Sequence, residues 1–186
     1  NYLMAQSTAD SVIDSGDENI NVFTYDSQKF NKKIAAMYCA DDKERIAAFK
    51  IDADKLDIYD SKGNKSELYG ENGVFTFNLS ADPIYIMGDI SKIEAADSNI
   101  IETGDTDIEA AYGDTFSIGV SKNTDKDLKL AVDLPNKAEV AEIGSFKDGK
   151  ADVKIKNKAE IGESYSITLY AKDGEKTVFK TTYNIS

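Results

Sequence analysis

The chain has 186 residues, 41% of them hydrophobic and 30% charged, and carries a formal net charge of −12. That is the balance of a globular protein with apolar content enough for a core, and the length suits two domains of roughly 90 residues. The acid excess argues against phosphate backbones and anionic membrane surfaces as partners, and no apolar run nears the ~18 residues that insert across a bilayer.

The opening "NYLMAQSTADSVID" reads as the middle of a longer polypeptide. Tyr2, Leu3, Ala5, Ala9, Val12 and Ile13 form a loose stripe at helical spacing, which predicts a short helix over 2–14, ended by "DSGDEN". From there the signal is β. "INVFTY" (20–25), "KIAAMYCA" (33–40) and "ERIAAFKI" (44–51) are short segments bounded by charged turn residues, with a helix as the competing reading for the two alanine-rich ones. "KLDIYD" (55–60) runs into "SKGN", where Gly63 and Asn64 accept the positive φ of a tight hairpin, and "KSELY" (65–69) returns. After "GENG", the run "VFTFNLS" (74–80) puts Phe75, Phe77 and Leu79 on one face, the period of a half-buried antiparallel strand. Pro83 then opens "IYIM", an allowed place because proline donates no ladder hydrogen bond.

Over residues 91–112 the periodicity fades, marking a domain junction with a weak strand at 99–102. Beyond it, "TFSIGV" (115–120), "LKLAV" (128–132), "ADVKI" (151–155), "YSITLYA" (165–171) and "TVFKTTYNI" (177–185) alternate, with a weaker segment at 138–143. Strands at this spacing with turns between them predict sandwiches. The expectation is an all-β chain of two consecutive antiparallel β-sandwich domains, residues 1–95 and 96–186, with a short N-terminal helix. The second domain is expected to be immunoglobulin-like.

Two motifs in the first domain resemble the C-terminal β-sandwich of retaining TIM-barrel glycoside hydrolases. One is "IYDSKGN", with Asp60, Gly63 and Asn64 in place; the other is "NLSADPIYIMGD", with Ser80, Pro83, Tyr85 and Gly88 in place. The first segment likewise looks like the last barrel-side helix entering such a sandwich. The resemblance covers about half the chain; where that family often has a tryptophan in an early strand, this chain reads "AMYCADD" and contains none. It implies an extracellular or cell-surface protein whose catalytic domain lies elsewhere in the same polypeptide, since hydrolysis needs two carboxylates on barrel strands roughly 5 Å apart. By the same resemblance the second domain is an accessory module appended to a secreted glycosidase.

The residues themselves offer no catalytic set. There is no histidine, and the lone Cys39 lies in an apolar setting suited to a small buried hydrophobe. The acidic groups Asp52, Asp54, Asp57 and Asp105, Asp107, Glu109 could donate oxygens to calcium, but neither has a calcium-loop pattern, and solvated turns explain them. No cofactor is expected. "NKS" and "NLS" match the glycosylation sequon, and the first coincides with the hairpin turn that already accounts for Asn64. Contact with another domain or with polysaccharide is assigned to Tyr59 and Tyr69 beside the first hairpin and to Tyr85 and Met87, which face outward if Ile84 and Ile86 face inward. The alternative to an accessory region is a free-standing carbohydrate-binding or adhesion module.

Overall fold

The computed structural model describes residues 3–186, and among these the chain is all-β without a helix. It divides into two compact units, Asn1–Asn99 and Ile100–Ser186. The division falls a little beyond residue 95: residues 93–95 pair with 49–51, and past them the Ala96 amide still donates to the Ala48 carbonyl of the first unit.

The first unit contains β1 (Ser7–Val12), β2 (Ile20–Ser27), β3 (Lys32–Cys39), β4 (Arg45–Ile51), β5 (Lys55–Tyr59), β6 (Lys65–Tyr69), β7 (Val74–Leu79), β8 (Ile84–Gly88) and β9 (Ile93–Ala95). Six strands form one antiparallel sheet in the order β1-β2-β3-β8-β5-β6, and three form a second in the order β7-β4-β9. Val22, Ala35, Met37, Leu56, Leu68 and Ile86 from the larger sheet share one core with Phe49, Ile51, Phe75, Phe77 and Leu79 from the smaller. The Phe75 and Phe77 rings lie 6.4 Å apart and nearly parallel, and Phe49 meets Phe77 at 6.2 Å. Each such buried side chain stabilises the sandwich by roughly 1.5–3 kcal/mol.

The expected helix over 2–14 is instead strand β1, with Tyr2 outside the described residues. The apolar stripe loses to hydrogen bonding along the open edge of β2, which an isolated single helix of this length could not match. A bulge between Ala9 and Ser11 breaks the period-two pattern, so the segment does not read as a strand. It also turns Asp10 towards Lys33, at 2.7 Å, and towards the Thr24 hydroxyl, which donates to it at 2.9 Å. Both alanine-rich segments, β3 and β4, are strands.

The second unit contains β10 (Ile101–Thr103), β11 (Asp107–Ile108), β12 (Thr115–Lys122), β13 (Lys129–Asp133), β14 (Ala138–Ile143), β15 (Lys150–Asn157), β16 (Tyr165–Asp173) and β17 (Lys176–Ile185). The sheets run β10-β12-β15-β14 and β11-β17-β16-β13, antiparallel except where β11 lies parallel to β17. β15 alternates without a fault, burying Ala151, Val153, Ile155 and Asn157. Asn157 is polar yet 3% exposed, because every hydrogen-bonding group on it is matched. Its amide donates to the carbonyls of Ala110 and Ala111, and its oxygen accepts from the Ala159 amide and the Tyr165 hydroxyl at 2.9 and 2.8 Å. Val153, Ile155, Ile167, Leu169 and Phe179 of the same unit are fully buried.

Candidate functional site

The six-stranded sheet of the first unit has an inner face on the core and an outer face with a different chemistry. Register fixes what that outer face displays, since residues opposite one another in neighbouring strands share a face. Val12 opposes Phe23, Phe23 opposes Ala36, Ala36 opposes Tyr85, and Tyr85 opposes Tyr59. One apolar and aromatic row therefore crosses five strands and ends at Lys65 on β6. In the next row Tyr25 opposes Ile34, Ile34 opposes Met87, and Met87 opposes Asp57.

Of the four residues assigned from sequence, Tyr59 and Tyr85 are brought together as a directly opposed pair. Met87 is on the same face but only 8% exposed, filled in by its own unit. Tyr69 opposes Lys55 at the other end of the β5–β6 hairpin, two rows from Tyr59. Ile86 is fully buried and Ile84 packs against the core, so the inward–outward assignment along β8 is as the alternation implies.

Reading the sequence missed Phe23, Tyr25 and Tyr38. With Ala36, Pro83 and Tyr85 they line an open groove of about 470 Å³, to which Met4 and Ala81 also contribute. The Phe23 and Tyr38 rings are 6.2 Å apart and within 20° of parallel. The signal was present in "INVFTYD", where Phe23 and Tyr25 alternate with buried Val22 and Thr24. Tyr38 lies diagonally across from Phe23, because its direct partner is Asn21. The groove exists because Ala36 is small: a methyl group lies between the large side chains of Phe23 and Tyr85. Among the described residues no charged side chain lines it.

The motif residues have structural work. Asp60 accepts from the backbone N–H groups of Lys62 and Asn64 and from the Asn64 side chain, while Gly63 adopts φ 88°. These bonds shape the β5–β6 turn that places Tyr59. The Ser80 carbonyl accepts from the Cys39 amide at 2.7 Å, and its hydroxyl accepts from the Asp82 amide, leading the chain to Pro83.

A second depression, about 640 Å³, is lined by charged groups of both signs. Lys32 pairs with Asp89 at 3.2 Å and Lys65 with Asp57 at 3.0 Å. Asp52 accepts from the Ser91 hydroxyl and from the Ser91 and Lys92 amides, which hold its carboxyl down at about 2. The Arg45 guanidinium likewise holds Asp41 at about 2. Asp107 accepts from the Asn184 side chain at 3.3 Å. Among the described residues no group of three or more acidic, histidine or cysteine side chains is arranged to hold a metal ion. Hydrogen bonding and ion pairing likewise hold the carboxyls of Asp10, Glu139, Glu142 and Asp173 below their ordinary values. Cys39 is 2% exposed, and burial pushes its thiol up, away from the reactive thiolate.

No protein-family model matches the sequence, and no curated protein matches it either.

Proposed function

We propose that this chain is a non-catalytic accessory region of a secreted or surface-attached carbohydrate-active protein. Its two sandwiches support or space a catalytic domain elsewhere in the same polypeptide, and the first presents an aromatic face for contact. The observation that carries this reading is the row Val12–Phe23–Ala36–Tyr85–Tyr59 across the outer sheet face. A sheet face turned to water normally alternates to polar residues, and an aromatic row there is the mark of a binding surface.

Three further points support it. The Asp60–Gly63–Asn64 turn and the Pro83-led strand, which resemble two motifs of the glycosidase-type sandwich, both take part in shaping one sheet. The strand order of the second unit matches an immunoglobulin-like sandwich: its first strand is split between the two sheets, the next three are β12, β13 and β14, and the second, fifth and fourth lie side by side. Third, Cys39 is buried with its thiol pushed up, and the Asp52 and Asp41 carboxyls are held down by hydrogen bonding and ion pairing, as structural roles would have them.

The test compares the complete polypeptide with a form lacking this region. Deletion should lower thermal stability or activity on polymeric substrate while sparing hydrolysis of small chromogenic glycosides. Turnover of those glycosides by the purified 186-residue chain would overturn the proposal.

A further inference from the structure

We propose that the groove floored by Ala36 and walled by Phe23, Tyr38 and Tyr85 binds a pyranose ring of a neutral glycan. The inference rests on the accessory reading above and names the ligand of its aromatic face.

Shape is the first argument. Along one row the side chains run large, small, large, so two aromatic walls stand either side of a methyl floor. Phe23 and Tyr38 lie close to parallel and extend one wall. A pyranose is a disc with C–H faces and a rim of hydroxyls, and aromatic faces suit the former. The groove's size, about 470 Å³, lies within the range of small-molecule sites.

Polarity is the second. Tyr25, Tyr38 and Tyr85 carry hydroxyls that make no hydrogen bond to other described residues. Each can donate and accept, which matches sugar hydroxyls that do both. Charge is the third: in a chain with 30% charged residues, this lining holds none among the described residues. A phosphate or uronate would find no cation there and would meet the repulsion of a net −12 chain. A protein partner fits less well. Ile34 and Met87 in the adjoining row are already buried, that row runs on to Asp57 and Glu67, and the aromatic row ends at Lys65, so charged groups close the apolar face on the β5–β6 side.

The experiment titrates the intact 186-residue chain with cellohexaose, xylohexaose and mannohexaose, followed by amide NMR, with a galacturonate oligomer as the charged control. The expected result is saturable shifts from at least one neutral hexamer, confined to β2, β3 and residues 81–85, and none from the uronate. Ala36→Leu fills the floor without removing a ring and should abolish those shifts. Tyr38→Ala should weaken binding about tenfold, and Tyr38→Phe, which keeps the ring, only a few-fold. Tyr112→Ser in the second unit, 67% exposed, should leave binding unchanged. The inference is overturned if no neutral hexamer saturates, if the shifts map elsewhere, or if folded Ala36→Leu protein binds like the parent chain. Capture of a catalytic domain on this face in place of sugar would also overturn it while leaving the accessory reading standing. Glycoside hydrolysis by the chain would remove that reading and leave the groove result intact.

Discussion

Replacing Gly144 by alanine is a sharp test of how tightly the second unit is assembled. A Cβ at Gly144 would lie 2.6 Å from the carbonyl oxygen of Asp152 and 3.2 Å from its nitrogen, well inside van der Waals contact. The obstacle is backbone, so no rotamer change relieves it. Asp152 belongs to β15, which is paired on both sides, with β12 and with β14, and its neighbour Val153 is fully buried. Moving β15 therefore disturbs two ladders and the core. Moving residue 144 outward sacrifices its own bond, in which the Gly144 amide donates to the Asp152 carbonyl at 2.8 Å. Overpacking of this kind costs about 1–3 kcal/mol, and the hydrogen bond about 1 kcal/mol when it is lost instead. For a unit of this size each kcal/mol lowers Tm by roughly 4–8 °C. Calorimetry or urea unfolding of Gly144→Ala should show a loss of that order. Gly104→Ala is the matched control: nothing lies within 4 Å of its Cβ, and its φ is not positive, so stability should stay within about 0.5 kcal/mol. Equal unfolding midpoints for the two variants would refute the close approach of residue 144 to β15.

Asn157→Ala removes two donated and two accepted hydrogen bonds at a buried position, leaving the Ala159 amide unmatched, and should cost about 2–4 kcal/mol by urea unfolding. Tyr165→Phe, which deletes one of those partners, should cost about 1 kcal/mol, and equal losses for the two would contradict the network. The Asp52 carboxyl should titrate at about 2 by NMR, held there by Ser91 and the Lys92 amide. Because its folded value is depressed, the stability it contributes is present above about pH 4 and is lost as pH falls towards 2. Ser91→Ala should move that midpoint up, and a wild-type midpoint near 4 would remove the linkage.

Much of the fold is legible in local pattern. β15 alternates cleanly because one face of it meets a core, and the apolar period of Phe75, Phe77 and Leu79 in β7 is still readable although Thr76 on the other face is buried too. The β5–β6 turn could be read from Gly63, which takes φ 88°, whereas Asn64 does not adopt the expected positive φ and serves the turn through its hydrogen bonds to Asp60. β1 could not be read so, since its strand identity comes from the edge of β2 and from Lys33 and Thr24, which lie outside its own segment. The short strands β9, β10 and β11 likewise carry too few residues to show a period, and only their partners make them strands.

The candidate site divides the same way. Alternation within β8 is enough to turn Tyr85 outward, and the sequence by itself also determined the all-β class, the turns and the absence of histidine chemistry. Only the tertiary structure decided that Tyr85 stands beside Ala36 and Tyr59, residues from strands far apart in the chain. Side-chain period names a face within one strand, whereas register between strands depends on which strands meet and how the core aligns them. A groove made by a small residue between two large ones on three different strands is a property of that register, and no single stretch of the chain contains it.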